Sequence, residues 1–569
     1  MNMRRTVGAC RAATALSTLT SIFASTRSFA LTHSFPLIRR FPRTDMSAPT
    51  AISARARGLA PSRRFAVVAG FALMSSVVLA IGIPEAASAQ TLRIALRQDL
   101  DTMDPTMSTT YVGRIVFAGM CDKLFDIDTK LSIVPQLATG YEWTDPKTLV
   151  IHLREGVLFQ DGEKLDADAV KATLERYLTM PGSFRRSEIA LIDHIDIIDP
   201  LTLRIGLKAP SGAFLAQLTD RSGMPLAPQA AAKEGKDFTL HPVCAGPFKF
   251  VDRVAQDHVT LERFPGYWDN KDIHFDRVVY QILVDNSVRL ANLKTDSVDL
   301  AEYIAPTDAA AVKADPKLRL VISDALGYFG ITNNLDNGPQ AKTPYGQNAL
   351  VRQAFSLAID RQALVNVVYN GMFAPTMQAV PNSSPFFDPA LTVPARDVAK
   401  AKALLTQAGV TLPVKLDLLA FNNPDVMQAA EVIQSMTAEA GFDVQIKSME
   451  FASSLAASQT GDYQAYMIGW SGRLDIDGNT YAFLHSKQGN NVSHYANPTV
   501  DQLLDEARGL TDIAKRNALY AQMWTQEQQD LPITYLWTPN NIVGMSAKLT
   551  GFRPVPDGMI RVQGLAMGK

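Results

Sequence analysis

Strand and helix alternate between residues 414 and 470. VKLDLLAF (414–421) reads as a strand, MQAAEVIQSMTAEAG (427–441) as a helix, FDVQIKSME (442–450) as a strand and YQAYMIGW (463–470) as another. Such a rhythm builds a layered α/β unit with its own core. It fills only part of a 569-residue chain, which is too long for one core and implies two or three domains. Upstream, TLRIAL (91–96), TLVIHL (148–153) and LTLRIGL (201–207) read as strands, and FKFVDRVAQDHVTLERF (248–264) as a hairpin. LDADAVKATLERYL (165–178) reads as a helix capped by Asp166, with Val170, Leu174, Tyr177 and Leu178 on one face. RDVAKAKALLTQAG (396–409) is capped by Asp397 and ends at Gly409, where a left-handed residue belongs. VRQAFSLAIDRQALVNVVYNG (351–371) reads as one helix stopped by Gly371. No repeat, low-complexity tract or long linker interrupts 90–569. Two domains joined without a linker imply more than one crossover and a cleft between them.

The formal net charge of −1 hides an asymmetry. Residues 1–89 hold 11 Arg, no Lys, and only Asp45 and Glu85 as acids, which leaves a net charge of −10 over 90–569. An acidic body repels phosphates, so nucleic acid and anionic membrane surfaces are poor partners. The basic head reads as a targeting region. Arg55, Arg57, Arg63 and Arg64 precede the apolar run FAVVAGFALMSSVVLAIGI (65–83), and Ala87-Ser88-Ala89 offers a cleavage site before Gln90. A membrane anchor is the other reading of those 19 apolar residues. Gln90 in place of Cys excludes the usual lipid anchor, Arg63-Arg64 leaves Sec and twin-arginine export both open, and either Met1 or Met46 can be the start. Cleavage yields a periplasmic protein. Only Cys121 and Cys244 then remain, as a disulfide or as two buried thiols.

Catalytic signatures are missing from the sequence. The eight His lack helical metal-site spacing, and no C-x-x-C, phosphate loop or G-x-G-x-x-G after a strand occurs. Gly469-Trp470-Ser471-Gly472 begins like a nucleophile elbow, but Arg473 stands at the fifth position. Asp475 and Asp477 could share a face as paired carboxylates, or be solvated loop acids or a helix cap. Binding, with no cofactor and no enzymatic step, becomes the leading class by elimination.

SIVPQLATGYEWTDPKTLVIHLREGVLFQDGEKLDADAVKATLERYL (132–178) closely resembles the signature of the family 5 extracellular solute-binding proteins, the peptide- and nickel-type receptors of bacterial ABC importers. The resemblance continues in family order through HPVCAGPFKF (241–250), VRQAFSLAIDR (351–361), AKALLTQAG (401–409), SHYANPTVDQLLDEAR (493–508) and LTGFRPVPDG (549–558). It implies a two-lobed α/β fold of the type II periplasmic binding protein kind, with an extra subdomain and two hinge strands. By similarity, lobe 1 spans 90–283 plus 533–569 and lobe 2 spans 284–532, with crossings near 284 and 532. The implied function is capture of a peptide-like solute between the lobes by a monomer that delivers it to permease subunits with their ATPases. A metal-chelate receptor and a secreted hydrolase are the alternatives.

In peptide-binding members, the segment after the G-W strand carries an Asp that pairs with the peptide ammonium. Here Arg473 takes that position. A guanidinium suits a carboxylate, so the resemblance points to an anionic solute such as an acidic peptide, a glutathione-like γ-peptide or an opine. Alternatively Asp475 or Asp477 takes the ammonium, or Arg473 pairs with one of them and never meets solute. The expected ligand-binding set is Gly469, Trp470, Ser471, Arg473 and Asp475 on this turn, Thr110 and Tyr111 after the first strand, and Tyr328 and Phe329 in GYFGITNN (327–334).

Overall fold

A computed structural model describes residues 90–568. The proposed targeting region, residues 1–89 with its cleavage site, lies outside the described residues. Among the described residues, no helix is long and apolar enough to cross a membrane.

Two mixed sheets organise the body. The first has seven strands, in the order Leu318–Asp324, Asn540–Ser546, Leu300–Ala301, Thr91–Leu96, Arg277–Ile282, His258–Arg263 and Phe248–Val254. Thr91–Leu96 lies parallel to Arg277–Ile282 and to Leu300–Ala301, and the other pairs are antiparallel. The second has six strands, in the order Ala374–Pro375, Ile533–Thr538, Tyr328–Asn333, Ala465–Trp470, Val414–Phe421 and Phe442–Met449. A separate antiparallel sheet of Ala138–Asp145, Thr148–Leu153, Thr202–Leu207 and Ile192–Asp199 is the extra subdomain, and its apolar faces join the core of the first lobe.

Strand membership fixes where the chain passes between lobes. Leu318–Asp324 belongs to the first sheet and Tyr328–Asn333 to the second, so the first crossing is at 325–327. Ile533–Thr538 belongs to the second sheet and Asn540–Ser546 to the first, so the second crossing is at Pro539. This corrects the crossings expected near 284 and 532. Asn540–Ser546, from the far end of the chain, lies between Leu318–Asp324 and Leu300–Ala301 and joins them to one sheet. Lobe 1 is therefore 90–324 with 540–568, and lobe 2 is 328–538.

Local readings of caps hold. Asp166 accepts from Ala169 N at 3.0 Å at the start of Ala167–Thr179, and Asp397 accepts from Lys400 N at 2.8 Å at the start of Val398–Gln407. Gly409 has φ +68°. Such caps each contribute about 1 kcal/mol. The single helix expected over 351–371 is instead two, Ala349–Ala358 and Arg361–Tyr369. Asp360 caps the second through Ala363 N at 2.9 Å, and the buried Arg361 donates from Nε to Tyr535 O at 2.8 Å. Cys121 and Cys244 form a disulfide with a Cα–Cα distance of 4.9 Å, which settles the choice that their spacing left open.

Candidate functional site

The register of the second sheet builds one wall of the site. Tyr328 lies opposite Trp470, and Phe329 lies opposite Gly469 on one side and Trp537 on the other. Phe329 stacks on Trp537 with centroids 4.7 Å apart, and Tyr328 meets Tyr535 edge-on at 4.8 Å. The strands Tyr328–Asn333 and Ile533–Thr538 that bring these rings together are also the ones that adjoin the two crossings.

The turn after Trp470 is held by Asn479. Its Oδ1 accepts from Arg473 N at 2.8 Å and from Trp470 Nε1 at 3.0 Å, and its Nδ2 donates to Leu326 O at 3.2 Å. This binds the turn to the first crossing so closely that both glycines are required. A Cβ on Gly327 would lie 1.8 Å from Trp470 O. Gly472, at φ +80°, would place one 2.2 Å from the carbonyl carbon of Leu326.

On the facing lobe, Thr110 caps the helix Tyr111–Met120. It accepts from Gly113 N at 3.2 Å and donates to Asp101 Oδ1 at 3.0 Å. Tyr111 donates from its hydroxyl to Gly558 O at 3.0 Å. Arg97 lies over the rings of Tyr111 and Tyr303, 5.1 and 4.6 Å from their centroids, and its Nε is 3.4 Å from Glu302 Oε1.

Between these walls lies a cavity of about 360 Å³. That size falls in the range of small-molecule sites, roughly 300–1,000 Å³. Thr110, Tyr111, Tyr328, Phe329, Gly469, Trp470 and Ser471 all line it, so the structure brings together seven of the nine expected residues. Trp470 walls the cavity with its indole already committed to Gly478 O and Asn479.

Arg473 and Asp475, the other two expected residues, lie outside the cavity lining. Arg473 is 7% exposed and its Nε lies 2.8 Å from Asp220 Oδ2, an acid of the other lobe. Its guanidinium also rests over the Trp470 ring at 4.3 Å. Asp475 is bound by Arg516 at 2.7 and 2.5 Å, and Asp477 by Arg508 at 2.7 and 2.8 Å. The two acids are thus neither solvated nor available to an ammonium. Burial and the neighbouring Arg114 and Arg185 push the Arg473 guanidinium down to about 10, although Asp220 opposes the shift.

The lobes are fastened to each other on two sides of the cavity. On one side, Asp220 holds Arg473 and also Arg114, whose Nη2 is 3.0 Å from Oδ2 and whose Nη1 donates to Ser471 Oγ at 3.1 Å. On the other, Asp425 of lobe 2 accepts from Asn286 Nδ2 at 2.8 Å and from the Tyr303 hydroxyl at 2.6 Å. Two further arginines, Arg185 and Arg221, line the cavity beside Asp220. The sequence signal for Arg221 is modest: Asp220-Arg221 is the only charged pair between 209 and 232, an otherwise uncharged stretch.

Comparisons agree with this geometry. Residues 132–491 match the model of the bacterial extracellular solute-binding proteins, family 5 Middle. The glutathione-binding protein GsiB of Salmonella paratyphi A is 30% identical over 486 residues, covering 83% of this chain and 93% of that protein. Among solved structures, the periplasmic binding protein AgaA from A. tumefaciens R10, in complex with agropinic acid, is 27% identical with a TM-score of 0.76 over 84% of this chain and 99% of that one. The binding protein DppA of Helicobacter pylori, in complex with the peptide STSA, is 25% identical with a TM-score of 0.77 over 84% and 98%. The fold is the two-lobed periplasmic binding protein fold, and the chain belongs to the bacterial extracellular solute-binding proteins of family 5.

Proposed function

We propose that this protein is the periplasmic capture component of an ABC importer and encloses a peptide-like small solute between its lobes. The observation that carries the reading is the cavity itself, walled by residues of both lobes and flanked by lobe-to-lobe bonds on two sides. A solute touching both walls adds its contacts only when the lobes are shut, so it shifts the population toward the closed form. The permease with its ATPases reads that closed form. The protein acts as a monomer, is exported with removal of its leader near residue 89, and breaks no bond in the solute. Glutathione-binding and opine-binding relatives support a solute of tripeptide or opine size, which suits the cavity volume.

A thermal-shift screen over di- and tripeptides, glutathione and agropinic acid tests the proposal. A true solute at 100 times its Kd adds about 2.7 kcal/mol of apparent stability. Chemical analysis of the solute after incubation should return it unchanged. Products accumulating with turnover would replace capture by hydrolysis.

A further inference from the structure

The cluster around Asp220 carries more positive charge than it can neutralise. Arg114, Arg185, Arg221 and Arg473 meet there, and the carboxylates they share are Asp220 and Glu188. Asp220 is committed to Arg114 and Arg473. Glu188 accepts from Arg185 Nη1 at 2.6 Å and also from the Ser222 hydroxyl. Asp101, in the loop before the helix Tyr111–Met120, is filled by Ser108, Thr109 and Thr110, which all donate to it.

Arg473 Nε and Nη2 also lack hydrogen-bond partners but lie outside the cavity lining, whereas Arg185 and Arg221 are incompletely partnered within it. They are 2% and 0% exposed, and both line the cavity. Arg221 Nη1 donates to Ser108 O at 2.6 Å, whereas its Nε and Nη2 have no hydrogen-bond partner. The carboxylate nearest to Nε is Asp220, at 3.7 Å. Arg185 Nη2 donates to Ser108 O at 3.2 Å, and its Nε has no partner. Buried donors without partners are costly, and more so when charged. Burial and the adjacent Arg185 also push the Arg221 guanidinium well below its usual range. An oxyanion arriving from the cavity would relieve both costs. Thr109, Thr110 and Tyr111, at the N-terminal end of the helix Tyr111–Met120, also line the cavity and follow directly on Ser108, whose carbonyl both arginines hold, so the helix adds a dipole of matching sign.

We propose that Arg185 and Arg221 form the subsite that receives a carboxylate of the captured solute. The inference rests on the capture reading above and specifies its solute class: small molecules bearing at least one carboxylate, such as acidic peptides or opine-like acids. It keeps an anionic solute but moves the recognising charge away from Arg473, which lies outside the cavity lining with its Nε 2.8 Å from Asp220 Oδ2. The two-oxygen edge of a carboxylate matches the planar fork of a guanidinium.

The test compares acids with their amides on the intact protein by titration calorimetry and thermal shift. The probes are glutathione and its glycine amide, agropinic acid and its amide, and trialanine and its amide. At least one acid should bind ten or more times more tightly than its amide. Arg221→Gln and Arg185→Gln should remove most of that preference while leaving the far-ultraviolet circular dichroism unchanged. Acids and amides that bind alike to the wild-type protein would overturn the subsite and leave capture standing. So would a preference that survives in both variants. Should either variant fail to fold, the wild-type acid–amide comparison decides alone. If none of the probes binds, the capture reading falls and the subsite falls with it.

Discussion

Replacing Asp220 with Asn keeps the shape of the side chain and removes a carboxylate that holds arginines of both lobes. Asp220 is 5% exposed, with Arg473 at 2.8 Å and Arg114 at 3.0 Å. Two unit charges about 3 Å apart attract by about 5 kcal/mol at an effective dielectric constant of about 20, before desolvation is subtracted. Taking one member from a buried pair costs about 3–5 kcal/mol, because the orphaned charge stays behind. Here the variant leaves four guanidiniums facing only Glu188. Urea unfolding of Asp220→Asn at neutral pH and low salt should therefore show a loss of about 3–5 kcal/mol. The double variant with Arg473→Met should recover part of it, since it removes one of the orphans, and the cycle should give a coupling of about 1–3 kcal/mol. A loss below about 1 kcal/mol, the scale of an exposed pair, together with zero coupling, would refute the claim that Asp220 bonds the lobes.

Other consequences are as direct. Burial raises Asp220 and Asp126, but Arg114 and Arg473 around the first, and Lys123 and Arg561 around the second, outweigh it and hold both well below the usual carboxylate range. A depressed folded pKa gives stability that is complete above the unfolded value near 3.8 and is lost as pH falls through the folded one. Unfolding free energies should accordingly show no loss from these two acids between pH 7 and 5 and a steep loss below pH 4; a loss centred at pH 6 would contradict this source. The Cys121–Cys244 bridge closes a loop with a sequence separation of 123. The chain-entropy relation gives about 5 kcal/mol for such a loop, so the double Ala variant should lose several kcal/mol in chemical denaturation, and an unchanged midpoint would remove the bridge from the account. Gly327→Ala would drive a Cβ into Trp470 O. It should cost about 1–3 kcal/mol as overpacking does, and it should also weaken solute binding in calorimetry by displacing the turn.

Local chemistry was readable from the residues. Asp166 and Asp397 cap helices because an acid three residues ahead of a backbone donor needs nothing distant. Tyr328, Phe329, Gly469 and Trp470 meet in the cavity because they sit at adjoining ends of paired strands. Long-range pairing was not readable. The first crossing lies at 325–327 rather than near 284 because Leu300–Ala301 and Leu318–Asp324 pair with Asn540–Ser546. Arg473 has Asp475 and Asp477 within four residues, yet Arg516 and Arg508 take those acids and Asp220 comes from the other lobe. Arg185 and Arg221 are not marked in the sequence for the same reason: an arginine's burial and missing partners are properties of the assembled cleft.

Enclosure of a solute by both lobes is tested most directly by small-angle X-ray scattering of the intact protein, alone and saturated with whichever probe binds. The account predicts a smaller radius of gyration on saturation, with a profile that fits the shut arrangement bonded through Asp220 and Asp425. A bound solute that leaves the profile unchanged from an open form would contradict it.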